Sequence, residues 1–505
     1  MYTYFYGLSS LSPILGLFVI SFLALLFIKH NYFAKILPGP AWIPLLGNIR
    51  EFASDPDLRT SLRRLNKKYG DIYKLYVGPK PTIVVSGYDT IRELFIKRGT
   101  EFSDRPSADL LTIILSDKRG IMTVSGDMWK KQKKFILRAF RNIAFGKIKL
   151  EDKIHVEVKL FLSEIGKLNQ KPFQMMAPIQ TSFGNVISHL IFGGHFNHDD
   201  PRFKTVMEGS NFLAQNISAV SPVIFMPMLR FIPGDLFGVK TMTKNLQVVK
   251  TFVQELIAEH MKRFDGETVE DFIDAFISEL KKENNGNMDN TFTMEYLPAI
   301  VLDLFLAGME TTSTTFTWAS FYLATRPDIQ NRIFEEIKAN VGTERLPSMQ
   351  DKQHLVYTEA FIMEVLRMSS TVIVSVPHAP ITDVCIRGYH IPKGIQIFPD
   401  ISSVLSDPVI WGDPESFRPE RFISDKGTLF KPDEFIPFFT GKRNCLGESL
   451  ARMELLLFIS ALVQRFELAP PEGEVLDIKN VDGIFGFTHA PKPFYIRAIP
   501  RQDEE

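Results

Sequence analysis

The sequence predicts a mainly α protein with a smaller β part, an α+β class, preceded by one N-terminal transmembrane helix. Three observations carry this. Helical periodicity dominates the chain from about residue 59 to residue 464, two short islands are rich in β-branched and aromatic residues, and residues 1–28 carry no charged side chain. With no repeat, low-complexity tract or composition break after the first segment, two domains are expected: a membrane signal anchor at 1–36 and one large catalytic domain at 37–505.

The anchor comes first. Leu11–Ile28 is almost wholly apolar and, at about 1.5 Å per residue, reaches roughly 27 Å, enough for a thin bilayer such as the endoplasmic reticulum. A cleaved secretory signal would carry its positive charge ahead of the apolar run. Here Lys29 and Lys35 follow it, so the bulk of the chain is expected to face the cytosol. A buried N-terminal helix is the alternative. The Pro-Gly-Pro run at 38–40 then turns the chain away from the bilayer.

Helices are predicted at 59–69, 88–98, 129–140, 151–168, 243–263, 269–282, 296–325, 327–341, 355–369 and 447–464. Strands at 72–78 and 82–86, parted by GPKP, read as a hairpin. A second island spans 384–398, turning at Gly388 and at Pro392–Gly394, and holds Cys385 as a core or edge residue. The polar run ENNGNMDN at 283–290 is a connector.

Charge and cysteine usage narrow the function classes. With 58 basic and 58 acidic residues, no global field points to nucleic acid. Two cysteines exclude a disulfide framework. No Gly-rich dinucleotide motif is present, so any electrons must arrive from another protein.

The chemistry centres on FFTGKRNCLG at 438–447. Cys445 precedes a predicted helix, where free N–H groups favour a negative sulfur. Gly441 and Gly447 permit a sharp turn and close approach to a flat ligand, and Arg443 offers a cation to an anionic group. A lone thiolate suits haem and suits zinc poorly, because no companion ligands lie nearby. The alternative is an inert cysteine in a Gly-rich turn.

The pattern F-x-x-G-x-R-x-C-x-G, with Phe438, Arg443, Cys445 and Gly447 at its fixed positions, resembles the haem-binding signature of the cytochrome P-450 superfamily. Three further matches follow in the family's order, and the resemblance spans nearly the whole chain. AGMETT at 307–312 is similar to the oxygen-binding helix, placing Ala307 and Gly308 against the porphyrin and implying Thr311 and Glu310 as proton-delivery residues. Alone, this hexapeptide would better suit a buried helix with a small-residue packing face and an exposed Glu. Asp303 shares the Glu310 face and reads as structural. EVLR at 364–367 with PERF at 419–422 resembles the structural network of Glu364, Arg367 and Arg421; alone, the first would be a surface ion pair. WKKQK at 129–133 resembles W-x-x-x-R, with Lys133 where the family has arginine, so the planar fork is lost. Trp129, Lys133, Arg105 and His378 match positions that contact haem propionates, although the last two also suit ordinary loops beside proline.

The resemblance implies a cytochrome P-450 fold and haem b with Cys445 as axial metal ligand. It implies a monooxygenase that takes electrons from an NADPH-dependent flavoprotein reductase, using NADPH only indirectly, and admits cytochrome b5 as a further partner. The chain looks most like the microsomal family-two clan. Walls for a lipophilic substrate (a fatty acid, steroid or xenobiotic) are expected at 106–122, 207–216, 371–377 and 484–487. Lys130, Lys131, Lys133, Lys134, Arg138 and Arg141, with Lys442 and Arg443 by the cysteine, form a basic patch that would steer an acidic reductase, or simply a solvated face. A haem-thiolate isomerase or dehydratase of oxygenated lipids and a non-catalytic haem binder are the competing classes.

Overall fold

The computed structural model describes residue 21 and residues 37–501, except 54, 56, 107–117, 145–149, 217–222, 224, 225 and 285–290. The predicted membrane span, most of the 283–290 connector and most of the 106–122 wall lie outside the described residues. Among the described residues no helix is long and apolar enough to cross a membrane.

The principal helices are α1 (Leu58–Tyr69), α2 (Gly126–Ala144), α3 (Leu150–Lys167), α4 (Met176–Phe192), α5 (Pro201–Asn216), α6 (Val239–Arg263), α7 (Phe272–Asn284), α8 (Leu297–Thr325), α9 (Pro327–Asn340), α10 (Val356–Ser369) and α11 (Glu448–Arg465). Around α8 the rest is assembled. It packs along α4, with α6, α10 and α11 also against it. Asp303 and Glu310 are its only charged residues, so an apolar surface surrounds it and it is buried almost throughout. Pro298 suits its first turn, where no N–H partner is lost, and Pro327 both ends it and opens α9.

Two helices, α4 and α5, were not among those expected. Buried along most of its length, α4 carries Gln180, Ser182, Asn185 and Ser188 inside, which erases the apolar stripe on which periodicity depends. For α5 a signal exists: Asp200 Oδ1 accepts the Arg202 N–H, and Pro201 occupies the first position. The expected helix at 88–98 is instead a short α segment, Tyr88–Ile91, continued by a π turn, Arg92–Lys97.

The hairpin is present as β1 (Ile72–Val77) and β2 (Lys80–Val85), paired antiparallel. The second island divides. Strands β3 (Val384–Ile386) and β4 (Tyr389–Ile391) pair with each other, whereas β5 (Gln396–Pro399) joins β2 in parallel, with Ile397 opposite Ile83. Cys385 lies exposed on β3, so it is an edge residue and not a core one. Two C-terminal pairs follow: β6 (Phe466–Ala469) with β9 (Arg497–Pro500), and β7 (Ile484–Phe485) with β8 (His489–Ala490).

Candidate haem-thiolate site

The cysteine loop is built by backbone constraints. Phe439 (φ 59°) and Gly441 (φ 76°) both take left-handed conformations, and the Cys445 N–H donates to the Phe438 carbonyl at 3.0 Å. A Cβ at Gly441 would overlap the Phe95 carbonyl, so this glycine serves close approach of the protein's own chain, not of a flat ligand. Gly447 is different. Its Cβ would meet only the Cys445 Sγ, at 4.0 Å, so the space beside the thiol is open.

That space is a cavity of about 450 Å³ reaching from Cys445 to α8. Burial pushes the Cys445 thiol above its ordinary value, while the N–H groups of Gly447 and Glu448 pull it down. The N–H groups at the helix start act in the expected direction, toward the thiolate, and burial opposes them. A metal cation at Sγ would supply what is missing.

Three cations converge beside the loop. Arg443 donates to the carbonyls of Ser103 and Val124 at 2.8 and 2.6 Å and stacks 3.8 Å above the centre of the buried Trp129 ring. Arg105 donates to the carbonyls of Met122, Val376 and Pro377. The Lys133 ammonium donates to the Lys442 carbonyl and to Asn444 Oδ1, so it pins the cysteine loop itself. All three line the cavity, as does Trp129. Among the described residues, none of the three is hydrogen-bonded to a carboxylate. Burial lowers each of them: Arg105 to about 9, raised somewhat by Asp303, and Arg443 to about 8 with Arg105 repelling it. Lys133 is also lowered, by burial and then Arg443. Such a cluster is shaped for an anion.

His378 does not line the cavity. It lies against Phe95 and Phe439, with Nδ1 2.8 Å from the Phe102 carbonyl and Nε2 buried without a partner. Burial, with Arg105 and then Arg443 nearby, holds it well below the ordinary histidine range. With Nδ1–H committed to Phe102, a carboxylate could bond Nε2 only once it is protonated.

The opposite wall is α8. Ala307, Gly308 and Thr311 line it, and Thr311 Oγ1 donates to the Ala307 carbonyl at 2.8 Å, a back-bond to the carbonyl four residues earlier. Glu310 is turned away from the cavity. Its carboxyl is held by Gln180, Thr314 and Thr488, and burial raises it to about 7. Asp303 lines the cavity but accepts the Met122 N–H at 2.9 Å, which supports its structural reading.

Phe438 also lines the cavity and carries Arg452 5.0 Å above its ring centre. Of the expected walls, Ile121 and Met122 at the described end of 106–122, 371–377 and 485–487 line the cavity, whereas none of 207–216 reaches it; Ala214 instead accepts the Phe487 N–H from behind. Behind the site, Glu364 accepts from Arg367 at 2.7 and 2.8 Å and from Arg421 at 3.2 Å. Both partners are fully engaged. Arg367 also donates to the Leu405 and Pro414 carbonyls, tying α10 to the segment before PERF.

Sequence reasoning missed Thr488 and Glu454. Glu454, on α11, lines the cavity, and burial raises it far above the carboxylate range. No short motif marks either, because each enters the site from a different element.

A lone cavity-facing cysteine, three partly buried cations suited to two carboxylates, and an opposing wall of small residues with a back-bonded threonine fit a haem: together they define a haem-thiolate monooxygenase. The chain belongs to the cytochrome P450 family, whose model, described as "Cytochrome P450", matches residues 37–498. It is 36% identical to chicken (Gallus gallus) "Cytochrome P450 2H2" over 471 residues, covering 92% of this chain and 93% of that protein. It is 35% identical to human "Cytochrome P450 2U1" over 488 residues, covering 91% and 88%. Mouse (Mus musculus) "Cytochrome P450 2C44" is 35% identical over 501 residues, covering 98% and 99%. Membership brings a haem held by a cysteine thiolate, a reductase as electron donor and a lipophilic substrate.

Proposed function

We propose that the Cys445 thiolate would ligate the haem iron, that Arg105, Arg443, Lys133 and Trp129 would hold the haem propionates with His378 behind them, and that Thr311 and Glu310 deliver protons. The bound haem supplies dioxygen activation, placing one oxygen atom in the substrate and reducing the other to water. What the chain adds is positional. Lys133 fixes the cysteine loop while Arg443, stacked on Trp129, stands ready to exchange carbonyl partners for a carboxylate. Thr311 places a hydroxyl in the α8 wall where protons and water can be ordered.

The substrate is a fatty acid, steroid or xenobiotic, taken from the membrane phase. Residues 1–36 anchor the protein in the endoplasmic reticulum with residues 37–505 on the cytosolic side. A second membrane contact is supported by Met228, Phe231 and Leu236, which are 77, 73 and 76% exposed within one short segment. Cytochrome b5 joins the reductase as a second donor.

The observation that carries the reading is the Cys445 thiol facing a cavity opposite Thr311. Its test is the reduced carbon monoxide difference spectrum of wild type and Cys445→Ser. A strongly red-shifted Soret band that vanishes in the variant is expected. An imidazole-type band, or a band that survives the substitution, removes the assignment.

A further inference from the structure

Glu310 and Thr311 are neighbours, yet only Thr311 meets the cavity, since successive helical residues diverge by about 100°. The Glu310 carboxyl must therefore reach the reaction through something else. Oε2 accepts from Gln180 Nε2 at 3.2 Å, and Oε1 accepts from Thr314 Oγ1 and Thr488 Oγ1, each at 3.2 Å. Of these three partners, only Thr488 lines the cavity.

Thr488 is held firmly. It is 3% exposed and sits just before β8, whose His489 carbonyl accepts the Trp318 indole N–H of α8 at 3.0 Å, while the His489 N–H donates to the Thr371 carbonyl at 2.8 Å. A hydroxyl so placed can accept a proton from one side and donate its own to the other. The Thr314 and Thr488 hydroxyls can reverse their bonds and accept, whereas the Gln180 amide N–H can only donate, so a proton on neutral Glu310 finds an acceptor from Oε1 and not from Oε2.

We propose that Thr488 is the cavity-side outlet of Glu310, passing the Glu310 proton into the cavity from the β7–β8 turn rather than through its helical neighbour Thr311. In the step, the Oε1–H bond of Glu310 breaks as an O–H bond forms on Thr488, and the original Thr488 proton moves to the acceptor in the cavity. The carboxylate left behind is held by Gln180, Thr314 and Thr488. A proton from bulk water refilling the cavity after product release returns along the same bonds. The proposal rests on Glu310 being the acid.

The test compares Thr488→Val, Thr488→Ser, Thr314→Val and Glu310→Gln in the full-length haem-loaded protein with reductase. Two quantities are measured: hydrogen peroxide released per NADPH consumed, and the infrared carboxyl band of Glu310, identified by its loss in Glu310→Gln. Both valine variants remove one hydrogen bond to Oε1 and should shift that band. Only Thr488→Val should raise peroxide, by about tenfold, with Thr488→Ser restoring coupling. Equal uncoupling by the two valine variants, or tight coupling in Thr488→Val, overturns the proposal. Should Thr488→Val load no haem, Thr488→Ala carries the same comparison. Tight coupling in Glu310→Gln would remove Glu310 as the acid and the relay with it; uncoupling in Glu310→Gln with a tightly coupled Thr488→Val keeps the acid and rejects the outlet alone.

Discussion

In the proposed proton delivery, the Thr311 hydroxyl is the group on which coupling of electrons to product depends. Its Oγ1 is bonded to the Ala307 carbonyl and faces the cavity, so removal leaves the helix and the cysteine loop intact while deleting a donor. Thr311→Ala should therefore load haem normally and release hydrogen peroxide at the expense of product. The check is NADPH consumed against product formed, and tight coupling in the variant would count against the role. Lys133 illustrates a different point about substitution. An arginine there would offer a planar fork; the lysine instead donates its ammonium to the Lys442 carbonyl and Asn444, within the loop that carries the sulfur. It is a loop clamp as well as a cation.

The α10 network shows how one element is locked to another. Glu364 and Arg367 are 0% and 1% exposed, and a buried carboxylate that loses a cation keeps its desolvation cost without its partner. Glu364→Ala or Arg367→Ala should lower stability by about 3 to 5 kcal/mol and yield little haem-loaded protein. Chemical denaturation and haem content of the purified variants measure this; normal values in either would show that the network is dispensable. The α8 helix has the opposite design. Apart from Asp303 and Glu310 it meets its neighbours through apolar and hydroxyl side chains, so its place is set by packing.

Across the molecule, the basic patch is smaller than charge counting suggests. Lys130 pairs with Asp127 at 2.8 Å, Arg138 with Glu279 at 3.0 Å, and Lys133 and Arg443 turn into the cavity. Lys134 and Arg141 remain exposed on α2. If this face receives the reductase, Lys134→Glu with Arg141→Glu should reduce reductase-supported turnover several-fold at low salt, with the difference shrinking as ionic strength rises. A salt-independent loss, or none, would place the reductase elsewhere.

Much of this was readable from the chain. The Cys445 turn, the Glu364–Arg367 pair and most helices depend on residues within one or two turns of each other, whereas Arg421 joins Glu364 from 57 residues away and entered the network only through the family resemblance. Helix α4 was not, since burial on every side removes the periodic contrast that marks a helix. Nor was the parallel pairing of β2 with β5, which joins segments more than 300 residues apart. Separation along the chain also hides the proposed proton outlet: Glu310 and Thr488 are 178 residues apart, and only the packing of β8 against α8 brings a hydroxyl of the β7–β8 turn to a helix carboxyl.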